Sequence, residues 1–166
     1  MASAPELAPR VLAACRRRGI MLATAESCTG GMIAAALTDI AGSSDVVERG
    51  FVVYSNEAKR EMLGVAAELI ERHGAVSEEV ARAMAEGAVA HARAAVAVAV
   101  TGVAGPGGGS AAKPVGLVHL ACAMEGRETI HRREVFPGDR AAIRAATVAK
   151  ALGLVLLMLG EEMGAA

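Results

Sequence analysis

The chain has 166 residues and a formal net charge of −1, and its apolar share of 54% includes two Phe, one Tyr and no Trp. That length suits one domain, residues 1–166, whose core must come from close approach of its elements rather than from large side chains. Near-neutral charge gives no electrostatic hold on nucleic acid or anionic lipid, so neither nucleic acid nor membrane is an expected partner.

Cys15, Cys28 and Cys122 are odd in number and lack C-x-x-C spacing, and His73, His91, His119 and His131 are scattered. Neither a disulfide framework nor a metal site is expected, and no cofactor is implied. No signal peptide is read at the start, and Lys150 interrupts the most apolar run short of membrane-spanning length. A cytoplasmic protein is the expectation.

Residues 5–18 read as a first helix, with Leu7, Val11 and Ala14 on one face and Gly19 as its stop. Ile20 to Ala25 form a first strand, apolar at nearly every position and so expected inside a sheet. A helix follows Gly31 and ends near the turn cluster Ala41-Gly42-Ser43-Ser44. Gly50 to Ser55 is a second strand, and Asn56 is placed to cap the helical segment Glu57–Leu63. A short helix over Ala66–Arg72 closes at Gly74, and Ser77 with Glu78 and Glu79 opens a long one to about Ala92. Ala95–Val100 is an unbroken Ala/Val strand that runs into Thr101–Gly109, too rich in glycine for a regular element. Val115–Ala123 and Thr129–Phe136 flank Met124-Glu125-Gly126-Arg127 as a hairpin. Pro137-Gly138-Asp139 turns into a last helix reaching about Leu159. Its stretch Ala151–Leu159 is apolar all round, which predicts burial on the sheet or against a second subunit, and hence a homodimer or higher homo-oligomer. The alternation of helices and strands before one hairpin gives the α/β class, a mixed sheet with helices on both faces.

The stretch Ala25-Glu26-Ser27-Cys28-Thr29-Gly30-Gly31 joins the first strand to a helix. The opening amides of a helix have no intrahelical partner and carry partial positive charge. Gly30 and Gly31 let a substrate approach that backbone, and Ser27 sets a hydroxyl beside it: a nucleophile and an oxyanion hole, two parts of an acyl-transfer site. The commoner use of Ser27 and Thr29 at such a junction is to cap the helix. Cys28 is an alternative nucleophile if a helix N-terminus favours its thiolate, against the simpler reading of a buried structural cysteine.

Ligands of open α/β sheets bind at the carboxyl ends of the strands, which would gather the Ser27 turn, the segment Tyr54–Lys59 and the loop from Thr101 into one cleft. Lys59 falls in the first turn of its helix, where the macrodipole and burial both lower a lysine pKa. A neutral lysine can take a proton from a serine, whereas an isolated lysine is ordinarily a surface charge. Tyr54 is either a participant or core filling. The glycine loop lacks a G-K-[ST] ending and is no Walker motif, but Thr101 and its amides can hold a phosphate or carboxamide; a plain surface loop is the bland alternative. Arg140 and Arg144 stand one turn apart near the start of the last helix, in reach of a phosphate or simply solvated.

Taken together, Ala25 through Gly31, Gly42-Ser43-Ser44, Gly50 through Lys59 and Gly74 through Ser77 resemble the C-terminal domain family of the competence/damage-inducible protein CinA, the nicotinamide-nucleotide amidohydrolases. Thr101 through Gly108 and Lys113-Pro114-Val115-Gly116 extend the resemblance. It implies a three-layer α/β/α sandwich with a mixed, mostly parallel sheet of about five strands, often dimeric. It also implies deamidation of nicotinamide mononucleotide to nicotinate mononucleotide by a serine nucleophile with a lysine base and a nearby tyrosine and threonine. Those roles fall on Ser27, Lys59, Tyr54 and Thr101. Substrate binding falls on Cys28, Thr29, Gly30, Gly31, Thr101, Gly102, Gly105 and Gly107, with Arg140 or Arg144 on the phosphate, and no metal enters. Many members carry a further N-terminal domain linked to nucleotide pyrophosphatase chemistry, which is not matched here and is not carried over. A non-catalytic nucleotide-binding module and an amidase for another small amide are the rival expectations.

Overall fold

The computed structural model describes residues 1–162. Its elements are α1 (Ala4–Arg18), β1 (Leu22–Glu26), α2 (Met32–Thr38), a single 3-10 turn at Ser43–Asp45, β2 (Val47–Val52), α3 (Asn56–Leu63), α4 (Ala67–His73), α5 (Glu78–Ala90), β3 (Val96–Gly102), β4 (Leu117–Met124), β5 (Ile130–Val135) and α6 (Arg140–Met158). The strands form one mixed sheet in the order β2-β1-β3-β4-β5. The pairings of β1 with β2 and β3 are parallel, and those of β4 with β3 and β5 are antiparallel. Only β4 therefore runs against the other strands.

Helices cover both faces, and the alternation of side chains along each strand divides the core accordingly. Leu22, Val96, Val98, Val100, Val118 and Leu120 face α1, α2 and α6. Ala23, Ala25, Ala97, Ala99, Ala121 and Ala123 face the layer of α3, α4 and α5. Each branched side chain of the first layer contributes about 1.5–3 kcal/mol of transfer free energy on burial. The alanine layer gains less per residue and instead lets α5 lie close on β3 and β4.

Several boundaries move from those expected. β1 starts at Leu22 because the amide of Ile20 is used on Cys15 O, in the closure of α1. β2 begins at Val47, before the expected Gly50, because it is an edge strand where the polar Glu48 and Arg49 are accommodated as an ion pair. Ser55, not Asn56, caps α3: its hydroxyl accepts from the Ala58 amide at 3.0 Å.

The last helix is long and apolar enough, by length and composition alone, to cross a membrane. It packs instead against α1, α2, β3 and β4, with Lys150 paired to Glu134 on β5 at 2.7 Å. Of its large apolar side chains, Leu157 is left 44% exposed. Burial within its own chain thus accounts for the apolar stretch Ala151–Leu159, without a second subunit.

Because β2, β1 and β3 are parallel, the loops after them emerge at one edge of the sheet. β5 runs the same way and delivers the start of α6 there. On the other face, α3 is seated on α5 through Gly87, where a Cβ would overlap the carbonyl oxygen of Leu63. In an open helix, alanine is favoured over glycine by about 1 kcal/mol. Overpacking of this kind costs about 1–3 kcal/mol, so Gly87→Ala is expected to lower stability despite its better propensity. Urea unfolding checks the sign: a raised midpoint at unchanged slope would contradict the overlap.

Candidate active site

Ser27 lies one residue past β1, where its amide still bonds to Val100 O at 3.1 Å. The chain then reverses: the Gly30 amide closes on Ser27 O at 3.1 Å. Gly30 at φ 58° and Gly31 at φ 106° occupy the left-handed region that glycine reaches without a Cβ penalty. Neither Ser27 nor Thr29 caps α2, whose N-cap is Gly31.

The cap comes from Glu26, a residue for which the sequence reading gave no role. Its carboxylate, 1% exposed, accepts from Thr29 Oγ1 at 2.6 Å and from the amides of Ile33 at 2.8 Å and Ala34 at 3.1 Å. The opening amides of α2 are therefore occupied, which corrects the expectation that they face a substrate. Among the described residues, the amides of Cys28 and Thr29 in the turn donate to no other residue. The available sign of Glu26 was an acidic residue closing an otherwise apolar strand.

Lys59 reaches the turn from α3. It is 1% exposed, and its Nζ stands 3.1 Å from Ser27 Oγ, 3.0 Å from Val53 O and 3.3 Å from Tyr54 O. Loss of water pushes its pKa below the ordinary lysine value. A neutral amine donates two hydrogens to the two carbonyls and keeps its lone pair for the serine hydroxyl, so the deprotonated form fits the site without an unpaired group.

Thr101, at the end of β3, is buried and donates to Ala75 O at 2.9 Å. Tyr54 is 61% exposed, which excludes the core-filling alternative, and its hydroxyl accepts from Arg140 Nη2 at 3.2 Å. Arg140 also donates through Nη1 to Gly105 O at 2.8 Å, tying the glycine loop to the start of α6. Between these groups lies a cavity of about 330 Å³ lined by Ser27, Cys28, Tyr54, Lys59, Thr101, Gly102, Gly105, Gly107 and Arg140, among others. Ala104 and Arg140 also border a second cavity, of about 650 Å³, that contains Arg144. Gly102 and Gly105 are demanded by packing, since a Cβ would stand 2.7 Å from Val118 Cγ2 and 2.5 Å from Val115 Cγ1 respectively. A Cβ on Gly107 would meet nothing within 4 Å.

The remaining candidates build the turn and do not line the cavity. The Thr29 side chain points to Glu26, and Arg144 donates to Cys28 O and Thr29 O, each at 3.1 Å. The β4–β5 hairpin also brings two of the scattered histidines together, His119 Nδ1 and His131 Nε2 lying 2.9 Å apart. Burial holds the His119 imidazole down at about 4, hence neutral near pH 7. Among the described residues, no three His, Cys, Asp or Glu side chains gather as a metal site.

The profile described as the CinA C-terminal domain matches residues 4–159 of the chain. The chain belongs to the CinA C-terminal domain family. Nicotinamide-nucleotide amidohydrolase PncC of Escherichia coli strain K12 is 54% identical to it over 147 residues, 89% of each chain. A CinA-like protein of Syntrophobacter fumaroxidans is 50% identical over 147 residues, which are 89% of this chain and 34% of that protein. The crystal structure of competence/damage inducible protein CihA from Agrobacterium tumefaciens matches with a TM-score of 0.92 at 52% identity, covering 97% of this chain and 98% of that one. With 54% identity to PncC over most of both chains, this CinA domain is an amidohydrolase.

A thiol mechanism in this CinA domain would need a thiolate at Cys28. Burial pushes that thiol up to about 11, does the same to Cys15, and raises Cys122 as well. Hence a disulfide reagent at about pH 8 should label none of the three cysteines quickly in the native protein, and all three after unfolding. Rapid native labelling of one equivalent, mapped to Cys28, would return the thiol to consideration.

Proposed function

We propose that this CinA domain hydrolyses the carboxamide of nicotinamide mononucleotide to nicotinate mononucleotide and ammonia, with Ser27 as nucleophile and Lys59 as its base. The observation that carries the reading is the 3.1 Å approach of a buried, pKa-lowered Lys59 Nζ to Ser27 Oγ. The substrate is supported by the name of the Escherichia coli relative, which covers the same length of chain.

In the proposed reaction Ser27 Oγ attacks the carboxamide carbon while its proton passes to Lys59. The oxyanion is taken by the Cys28 and Thr29 amides. Collapse of the tetrahedral intermediate expels ammonia, protonated by the Lys59 ammonium or by the Tyr54 hydroxyl. Water, deprotonated by Lys59, then opens the acyl-enzyme and releases the carboxylate and free Ser27. Thr101 and the loop glycines Gly102, Gly105 and Gly107 border the nicotinamide ring and sugar, and Arg140 at the mouth meets the phosphate. One domain over residues 1–166, a cytoplasmic setting and self-association as a homodimer belong to the same proposal, the last by family resemblance alone.

Purified protein supplied with nicotinamide mononucleotide should release ammonia, and should release none from nicotinamide or NAD. Binding without release would favour the non-catalytic module, and release from a different small amide alone would favour the other amidase. Ser27→Ala should lose roughly 10⁴-fold or more in kcat, whereas Cys28→Ala should keep most of the activity.

The pH dependence tests Lys59 separately. The base must be unprotonated, and its pKa lies below the ordinary value of 10.5. Activity is therefore expected to be full above the lowered pKa and to fall as pH drops through it. Lys59→Arg keeps the charge but cannot give up its proton, so activity should collapse while ligand binding persists. Retention of both the rate and the same fall toward low pH in Lys59→Arg would remove Lys59 from the role.

A further inference from the structure

Two side chains that do not contact Ser27 Oγ converge on the turn that carries it. From the strand side, the buried Glu26 carboxylate holds Thr29 Oγ1 and the amides of Ile33 and Ala34. From α6, Arg144 places Nε on Cys28 O and Nη2 on Thr29 O. One rigid guanidinium drawing two consecutive carbonyls fixes both peptide planes. In a trans peptide the N–H points opposite to the preceding C=O, so the amides of Thr29 and Gly30 are turned away from Arg144. That of Gly30 closes on Ser27 O, and that of Thr29 donates to no other residue among the described ones.

We infer that Glu26 and Arg144 are positioning residues for amide hydrolysis. They clamp the Ser27–Gly30 turn, one from the end of β1 and the other from α6, so that Ser27 Oγ stays on Lys59 and the Cys28 and Thr29 amides stay free for the oxyanion. Neither touches reacting atoms. Arg144 thereby belongs to the turn, and the phosphate is left to Arg140; an Arg144 that swung out to a phosphate would leave Cys28 O without its donor. The inference rests on Ser27 being the nucleophile, and the test separates the two.

The experiment measures kcat and KM on nicotinamide mononucleotide for Ser27→Ala, Arg144→Met, Arg144→Lys and Glu26→Gln in the full chain. It also measures nicotinamide mononucleotide binding by calorimetry for Ser27→Ala with and without Arg144→Met. Arg144→Met and Glu26→Gln are expected to lose roughly 10–100-fold in kcat, the scale of a small misplacement of reacting groups, with KM moving less than about 3-fold. Arg144→Lys, which can serve one carbonyl, should recover part of that loss. The Ser27→Ala background should bind ligand equally well with Arg144 or Met, and the double variant should be no slower than Ser27→Ala alone. A binding loss of about 10-fold or more from Arg144→Met, with kcat kept, makes Arg144 a phosphate ligand and overturns its place in the clamp. Retention of kcat within about 3-fold in both Arg144→Met and Glu26→Gln, with Ser27→Ala inactive, overturns the clamp and leaves the nucleophile standing. An active Ser27→Ala removes both. Should thermal melting show Arg144→Met unfolded, Arg144→Lys carries the same comparison: unchanged kcat with weakened binding overturns the clamp, and lowered kcat with unchanged KM supports it.

Discussion

The buried amine of Lys59 has three oxygens to satisfy and, when neutral, two hydrogens and one lone pair with which to do it. In that neutral form Val53 O and Tyr54 O would take the hydrogens, leaving the lone pair for the Ser27 hydroxyl 3.1 Å away. This count works only if β1 and β2 lie side by side with their ends level. The amide of Val53 is held to Glu26 O at 2.9 Å at the strand ends, which keeps the two chain segments together at the point where both enter the cleft. Ser55 then turns the chain into α3 one residue after Tyr54, and the fourth residue of the helix is Lys59. An amine at that depth is tolerable only with its partners in place, since a buried polar group left unpaired costs about 1–3 kcal/mol.

The two faces of the sheet serve this arrangement differently. Alanines on one side allow α5 to settle low on β3 and β4, and α3 rests on α5 in turn. Branched residues on the other side support α6, whose first turns carry Arg140 to the cleft and Arg144 to the carbonyls of the Ser27 turn. The cleft is thus assembled from elements of both layers, and the sheet edge is where they meet.

Much of this was readable along the chain because its causes are local. The Ala/Val run of β3, the hairpin, and the turn Pro137-Gly138-Asp139 each announce themselves within a few residues. The gathering of the Ser27 turn, Lys59 and Thr101 follows from the parallel direction of β1, β2 and β3. What escaped depends on partners far off in sequence. The start of β2 is set by its place at the sheet edge, where polar residues are welcome. Glu26 gives no local helix signal, because it caps from inside the preceding strand, across seven and eight residues. The target of Arg144 lies more than a hundred residues upstream, and the pairing of His119 with His131 needs the hairpin register to be known. The shift from Asn56 to Ser55 as the cap is a different matter: both residue types serve equally well, and only backbone geometry separates neighbours.

The glycines of the loop after β3 are unlike one another in a way that bears on divergence. Gly102 and Gly105 are locked by neighbours that leave no room for another atom, so any lineage keeping this scaffold must keep them. Gly107 borders the same cavity, its backbone is outside the left-handed region, and the space in front of it is open. That position is a free dial on the width of the pocket wall. Adding bulk there would narrow the cavity while leaving the sheet, the loop and the Ser27–Lys59 contact undisturbed, so the shape of this pocket can drift by single steps that folding does not oppose.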